Sequence, residues 1–462
     1  MRKLLVILLF MPLAVLAQPD SLELLFTWDD ASIEASELGN NRYNEVFGFT
    51  IGLDEYAVIG STKGAHIFSL KEGEEELVAF IEGSTSGREI IHRDFDVYQN
   101  YLYMVADQGD GSTLQIIDLS NLPESVEEVY SSNEYIIRAH NIFIDHEKRR
   151  MYSCGGALSG VVQGFAKPNH LSIFSLDDPE NPKLLLDCRE QIGFWRLIGY
   201  VHDIYVRNDT AYCNAGQKGM FVIDFSSLTD VKILGSLREY EHKGYNHQGF
   251  LHPTKNLYVM ADETHGMDLK MVDVTDLKEM ELLDRFTTGV SAEYTVPHNA
   301  YWLGDYVYVS YYLDGVYIFD ASDPTDVKAV YHYDTNELFP EDDFNGCWGV
   351  YPYLPSGRIL ASDMVNGLFV FWSPFKQRPQ EVVIRDLSLK RNLVKEELEL
   401  SNNWIGEEVE FSITSVTGAY VFHSQLPEGE NIISLPPSFD SGWYSLKIKS
   451  KSEVKYFRFY KI

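Results

Sequence analysis

An apolar run that usually ends in a carboxylate recurs along this chain: AHIFSL, LQIIDLS, LSIFSLDDP, MFVIDFSS, LKMVDVTD, VYIFDASDP and LFVFWSP. Taking Phe68, Ile117, Phe174, Ile223, Val272, Phe319 and Phe371 as equivalent anchors, the successive intervals are 49, 57, 49, 49, 47 and 52 residues. Such a period marks a repeat architecture, in which each unit buries its apolar face against its neighbours. Within a unit a polar pair opens a short apolar run, and a second run such as LYMVAD or VYVSYY precedes the anchor. A fourth run, such as KLLLD, KILGSL, MELLDRF or KAVYHY, follows a DP- or DL-type turn. Four short β-rich runs per unit, without the 3.6-residue period of amphipathic helices, describe one blade of a β-propeller. The expected fold class is all-β, a seven-bladed β-propeller followed by a small C-terminal β-sandwich.

The seventh unit stops after LFVFW without a fourth run, and a run of that type, SLELLFTW at residues 21–28, stands before the first unit. Residues 18–40 are therefore expected to supply the strand that closes the ring and leaves no open edge between its ends. The propeller would occupy 18–372, the Pro-containing segment SPFKQRPQ a linker at 373–380, and the sandwich 381–462, where the period is lost but alternating runs such as VEFSITS, WYSLKIKS and VKYFRFYKI persist. The first 17 residues, Met-Arg-Lys and then an apolar run ending in Val15-Leu16-Ala17, read as a signal peptide cut before Gln18. No later stretch is apolar for the length that spans a bilayer, so the expectation is an exported protein, secreted or held at the cell surface.

A formal net charge of −31 and a pI near 4.7 argue against nucleic acid or a bare anionic membrane as partner. The acids are spread along the chain, which suits solubility better than cation storage. The four cysteines, Cys154, Cys188, Cys213 and Cys347, are too few for a disulfide scaffold and lack CxxC spacing. Export permits disulfides, and Cys188 with Cys213 is the favoured pair among the possible ones.

Four units open on a histidine and a polar residue: His140-Asn141, His202-Asp203, His247-Gln248 and His298-Asn299. The first strand of each propeller blade lines the central channel. The aligned units put Glu45, Arg93, His140, His202, His247, His298 and Gly346 at one level, and Val46, Asp94, Asn141, Asp203, Gln248, Asn299 and Cys347 at the next. Imidazoles converging with a carboxylate suit zinc, copper or manganese, with the adjacent polar groups orienting the rings, and a bound divalent ion would polarise a carbonyl or activate water. The alternative is an axial network of hydrogen bonds without metal, which a fixed cation at Arg93 favours. The metal candidates are His140, His202, His247 and His298. The ligand-binding candidates at the axial mouth are Glu45, Arg93, Asp94, Asn141, Asp203, Gln248, Asn299 and Trp348, and no catalytic residue is assigned. A second set, Asp107, Asp262, Glu263, Asp314 and Asp363, lies where the second run turns into the third, and turn chemistry is preferred to ligand contact there. Tyr311, Tyr312, Trp348 and Tyr351 are candidates for a sugar or peptide groove. The chain has no phosphate loop, HExxH helix, GxSxG elbow or EF-hand loop.

The segments NEVFGF (44–49), HRDFDVY (92–98), RAHNI (138–142), GYVHDI (199–204), GYNHQGFL (244–251), PHNAYWLGDYVYVSYYLDGVYIFD (297–320) and FNGCWGVYPYLPSGRILASDMVNGLFVF (344–371) resemble the choice-of-anchor B family, whose propeller is built from LVIVD-type repeats. The tail, with SVTGAYVF and then LPPSFDSGWYSLKIKSKSEVKYFRFYKI, is similar to the type A sorting domain of type IX secretion substrates. It departs from that pattern in its opening, NLVKEELELS, which lacks the usual Asn-Pro start. Together the resemblances cover nearly the whole chain after residue 17. They imply export by the signal peptide, passage through the type IX machinery as a partner of the C-terminal domain, and removal of the tail with release or attachment at the surface. They imply no biochemical activity. Two readings stand: an extracellular propeller that binds a protein or glycan at one face, and a metal-dependent hydrolase or lyase acting at the histidine mouth with a divalent ion as cofactor.

Overall fold

The computed structural model describes residues 19–376, apart from 53, 110, 163–164, 192, 291–293 and 337–343, and within the C-terminal part residues 393–400, 409–415, 420–426, 432–436, 439, 441–449 and 454–462. The expected signal peptide and half of the expected linker, residues 377–380, thus lie outside the described residues. Two compact units divide the chain, residues 1–376 and 377–462.

In the first unit the repeats form seven four-stranded antiparallel sheets among the described residues, one of which gains a fifth, parallel strand. Their innermost strands are Tyr43–Ile51, Arg93–Tyr98, Asn141–Asp145, Asp203–Arg207, Asn246–Leu251, Asn299–Leu303 and Cys347–Tyr351, here blades one to seven. Each inner strand neighbours the next, and the seventh neighbours the first, so the sheets close on an axis. Between third and fourth strands every blade slips register at the anchor, as at Ile67/Phe68, Ile173/Phe174 and Ile318/Phe319. A bulge there raises the local twist that a blade needs to widen outwards.

The longest repeat interval has a structural cause. Blade three carries an insertion between its second and third strands, whose strands Ala157–Val162 and Phe165–Pro168 join Ile136–Arg138 in a separate small sheet.

Strand Glu23–Trp28 lies antiparallel beside Gly367–Trp372 as the outer strand of blade seven. Asp20–Ser21 runs parallel to Lys328–Tyr333 of blade six, so the N-terminal segment ties two blades together. Leu22 is buried against Tyr308, Val316 and Phe371, while Leu25, Phe26 and Trp28 pack on the core between blades seven and one.

The axis is layered. Nearest one end, neighbouring aromatic pairs run Phe47–Tyr351, Tyr351–Tyr353, Tyr353–Tyr301, Tyr301–Phe250, Phe250–Tyr205 and Tyr205–Phe143, with centroid separations of 4.4–6.1 Å. These rings pack where inner-strand side chains converge and form a floor. Above them lie Glu45, Asp94, Asn141, Asp203, Gln248 and Asn299. Asp94 accepts from the Ile142 amide at 2.7 Å, Gln248 from the Ala300 amide at 2.8 Å, and Asn299 Nδ2 donates to Glu45 at 3.1 Å. Blade seven has Gly349 at this level, and a Cβ there would come within 2.3 Å of Glu45 Oε1. Glycine thus gives Glu45 the room to reach Asn299.

The second unit is a five-stranded sheet, in the order Leu393–Val394, Val454–Lys461, Gly442–Lys449, Val409–Ser415, Tyr420–Leu426, with a two-stranded sheet of Glu397–Glu399 and Ile432–Ser434. Leu398, Ile413, Leu446 and Phe459 are in its core. Among the described residues no helix is long and apolar enough to cross a membrane.

All four cysteines are free and buried, which corrects the expected Cys188–Cys213 disulfide. Cys154, Cys188 and Cys213 share one apolar cluster between blades three and four, and burial holds Cys188 and Cys213 as protonated thiols. There they act as small core side chains.

Two predictions follow from the closure and the layering. Removal of residues 19–28 strips blade seven of its outer strand and exposes buried Leu, Phe and Trp side chains, each contributing about 2 kcal/mol. Thermal or urea unfolding should then show the cooperative ring transition lost, and an unchanged midpoint contradicts the closure. Burial also pushes Asp96 to about 8, Asp94 to about 7 and Glu45 to about 8. A carboxyl raised in the folded state binds its proton more tightly there than in the unfolded chain, so it stabilises at low pH and that contribution is lost as pH rises through the folded value. In chelator the urea midpoint should fall as pH rises towards about 8 and level off above it, where these carboxyls are ionised in both states, and Asp96→Asn should flatten the slope.

Candidate functional site

Above the polar layer, aromatic side chains form a nearly closed circuit at the mouth of the axis. Ring centroids are separated by 4.4 Å for His92–His140, 4.1 Å for His140–His202, 4.2 Å for His202–His247, 4.4 Å for His247–His298, 5.0 Å for His298–Trp348 and 5.5 Å for Trp348–His92. Four of the members are the expected histidines and Trp348 represents blade seven. The sixth is His92, which takes the place assigned to Arg93.

The register explains this correction. In blades three, four and six the histidine immediately precedes the inner strand, and blade two repeats the arrangement with His92 before Arg93. Arg93 is an extra paired residue whose side chain turns away between blades one and two. Its guanidinium donates to the carbonyls of Ser61 at 2.8 Å and Thr85 at 2.6 Å. The argument that a cation stands inside the histidine cage is thereby removed. Bulges aim two further members at the axis. His247 lies where blade five slips between Asn246 and Gln248, and Trp348 where blade seven slips between Cys347 and Gly349. Gly346, expected at the histidine level, instead makes a left-handed turn at φ 109°.

Backbone carbonyls of the next blade determine the tautomers. His247 Nδ1 donates to the His298 carbonyl at 3.1 Å, and His298 Nδ1 donates to the Trp348 carbonyl. A carbonyl only accepts, so each ring proton sits on Nδ1 and each Nε2 carries a lone pair. Burial, with the neighbouring imidazoles, drives His247 and His202 well below the ordinary histidine value, and burial takes His298 to about 3. His140 differs. Burial opposes its charge, but its 2.7 Å bond to Asp107 and the carboxylates of Asp203 and Asp94 hold it above the ordinary value.

Two members of the turn-region set also reach this mouth, against the expected preference for turn chemistry. Asp107 orients His140, and Glu263 lies with its Oε2 at 3.7 Å from His247 Nε2 and its Oε1 at 4.0 Å from His298 Nε2. Tyr312 donates to Glu263 Oε1 at 2.7 Å. The other three are structural. Asp262 is fully buried against Lys270 and Tyr240, Asp314 accepts from Thr288, and Asp363 accepts the amides of Val365 and Asn366. The expected aromatic groove does not form as one surface: Tyr311 is buried in the core between blades five and six, and Tyr351 belongs to the floor.

Two sets of potential ligand atoms each fall within 4.8 Å: His140, His202 and His247, and His247, Glu263 and His298. Zinc–nitrogen bonds of about 2.0–2.1 Å place tetrahedral ligands about 3.3 Å apart. The Glu263 separations are therefore a few tenths of an ångström from coordination. His247 belongs to both sets but has one lone pair, so the sets describe alternative corners of one ion site. The expected ligand-binding residues Glu45, Asp94, Asn141, Asp203, Gln248 and Asn299 lie one layer deeper, where several are occupied by bonds between blades.

LVIVD repeats are found at residues 92–130 and 302–335, within blades two and six. No curated protein sequence matches the chain. Solved structures with a similar fold include PorZ, a surface component of the type-IX secretion system of Porphyromonas gingivalis, at 11% identity over 94% of this chain and 61% of that one, TM-score 0.47. Another is the extracellular domain of the putative hybrid two-component system BT4673 of B. thetaiotaomicron, at 11% identity over 94% of this chain and 60% of that one, TM-score 0.48. A Lactobacillus plantarum protein matches at 10% identity over 85% of this chain and 100% of its own, TM-score 0.48. The chain spans about three fifths of the first two. It is a β-propeller carrying LVIVD repeats.

Proposed function

We propose that the protein is an exported propeller whose working site is the histidine mouth, where it holds one divalent first-row transition-metal ion and presents it to a ligand. The observation that supports this reading is the matched pair of tautomers at His247 and His298. Each has its Nδ1 proton committed to a carbonyl and its Nε2 lone pair near the Glu263 carboxylate. Metal-binding histidines are typically oriented in this way by a partner on the other ring nitrogen. Imidazole with one carboxylate favours zinc, copper, iron or manganese over calcium or magnesium, which take oxygen ligands. Three protein ligands leave coordination positions for an incoming group, so a hydrolase or lyase using the same ion is the alternative to a binding role.

The sequence resemblances support the route: a signal peptide, then type IX secretion directed by the C-terminal unit, with an extracellular glycan or protein as partner at the mouth. The acidic chain does not suit nucleic acid.

Elemental analysis of the chain purified without chelator tests the site. One transition-metal ion per chain is expected. His247→Ala, which damages both ligand sets, should weaken affinity by about 100-fold or more. Glu263→Gln should weaken it substantially, while His140→Ala spares the His247–Glu263–His298 set. A folded wild-type chain that takes up no metal after incubation with Zn²⁺ or Co²⁺ contradicts the reading.

A further inference from the structure

His92 and Trp348 are not needed as ligands in either set, yet each is more than nine-tenths buried and each has a ring nitrogen without a hydrogen-bond partner in the protein. His92 Nε2 donates to the His140 carbonyl at 2.7 Å, which puts its proton on Nε2 and leaves a lone pair on Nδ1. Trp348 Nε1 is a donor only. The rings are stacked, with centroids 5.5 Å apart and an interplanar angle of 26°. The mouth thus offers an acceptor and a donor on adjacent rings, on the part of the circuit that joins His298 back to His140.

A hydroxyl group donates and accepts, so it can satisfy both atoms. A carboxylate or phosphate only accepts, and an ammonium only donates.

We infer that the mouth recognises a neutral polyol, as the end of a carbohydrate chain presents, with one hydroxyl shared by His92 Nδ1 and Trp348 Nε1 and a second oxygen on the metal ion. This rests on the metal reading above.

The full chain loaded with Co²⁺ provides the test, because the visible absorption of Co²⁺ reports a change in its ligands. Glycerol is expected to change the spectrum saturably, and acetate at the same concentration is not. His92→Phe keeps the stacked ring but removes the lone pair, and Trp348→Phe removes the N–H. Each should weaken the glycerol response at least about tenfold per bound Co²⁺, the loss of one well-made hydrogen bond to a buried group. Acetate binding as tightly as glycerol, or glycerol responses unchanged in both variants, overturns the inference. So does a Co²⁺-loaded chain indifferent to glycerol, which would mean that water alone satisfies the two nitrogens. Failure to take up Co²⁺ is a separate outcome that removes the metal reading and this inference with it.

Discussion

The hydrogen bond from a mouth imidazole to the backbone carbonyl of the following blade joins fold and site in one interaction. His92 makes it to His140, His247 to His298, and His298 to Trp348. Each bond links adjacent sheets at the axis, above the deeper hydrogen bonds that Asp94, Gln248 and Asn299 make between blades. The same bond chooses the tautomer, and so decides which nitrogen keeps a lone pair. A carbonyl is a more definite partner for this purpose than water, because it accepts without ever donating. Site chemistry is therefore inherited from blade spacing.

Much of this was readable in the chain, because the repeat acts through local patterns. Apolar runs at near-constant intervals specify the sheets, and the absent fourth run of the last unit points to SLELLFTW as its partner. The histidines stand about one repeat apart, which only a closed ring brings together. The alignment went astray at HRDFDVY, where taking Arg93 as the equivalent residue ignored the histidine immediately before it. A strand can lengthen by one paired residue without altering the apolar pattern, and the residue added is the one that turns outwards. Placement of histidine immediately before the inner strands of blades three, four and six was the available signal.

Glu263 and Asp107 were less accessible. Both sit beside glycine-containing turns, where acidic residues ordinarily stabilise the backbone, and their histidine partners come from neighbouring blades. Nothing in the local sequence separates them from Asp363, which does serve its own turn. The bulges that aim His247 and Trp348 are hidden for the same reason: a register slip depends on how two strands pair, while the apolar alternation on either side remains intact. The thiols were misread for a different reason. An exporting chain may form disulfides, but the blade core already packs Cys188 and Cys213 tightly enough that neither needs a covalent partner.

The N-terminal strand lies beside the last strand of the ring, although more than three hundred residues separate them in sequence. The ring is consequently an all-or-nothing circuit in time as well as in space. During synthesis the first strand emerges with no partner available, and it remains an unmatched edge until residue 372 has followed. Up to that moment the ring lacks its closing pair of strands. Closure cannot precede the synthesis of residue 372, however quickly each blade forms, because one short strand at the other end of the ring completes it.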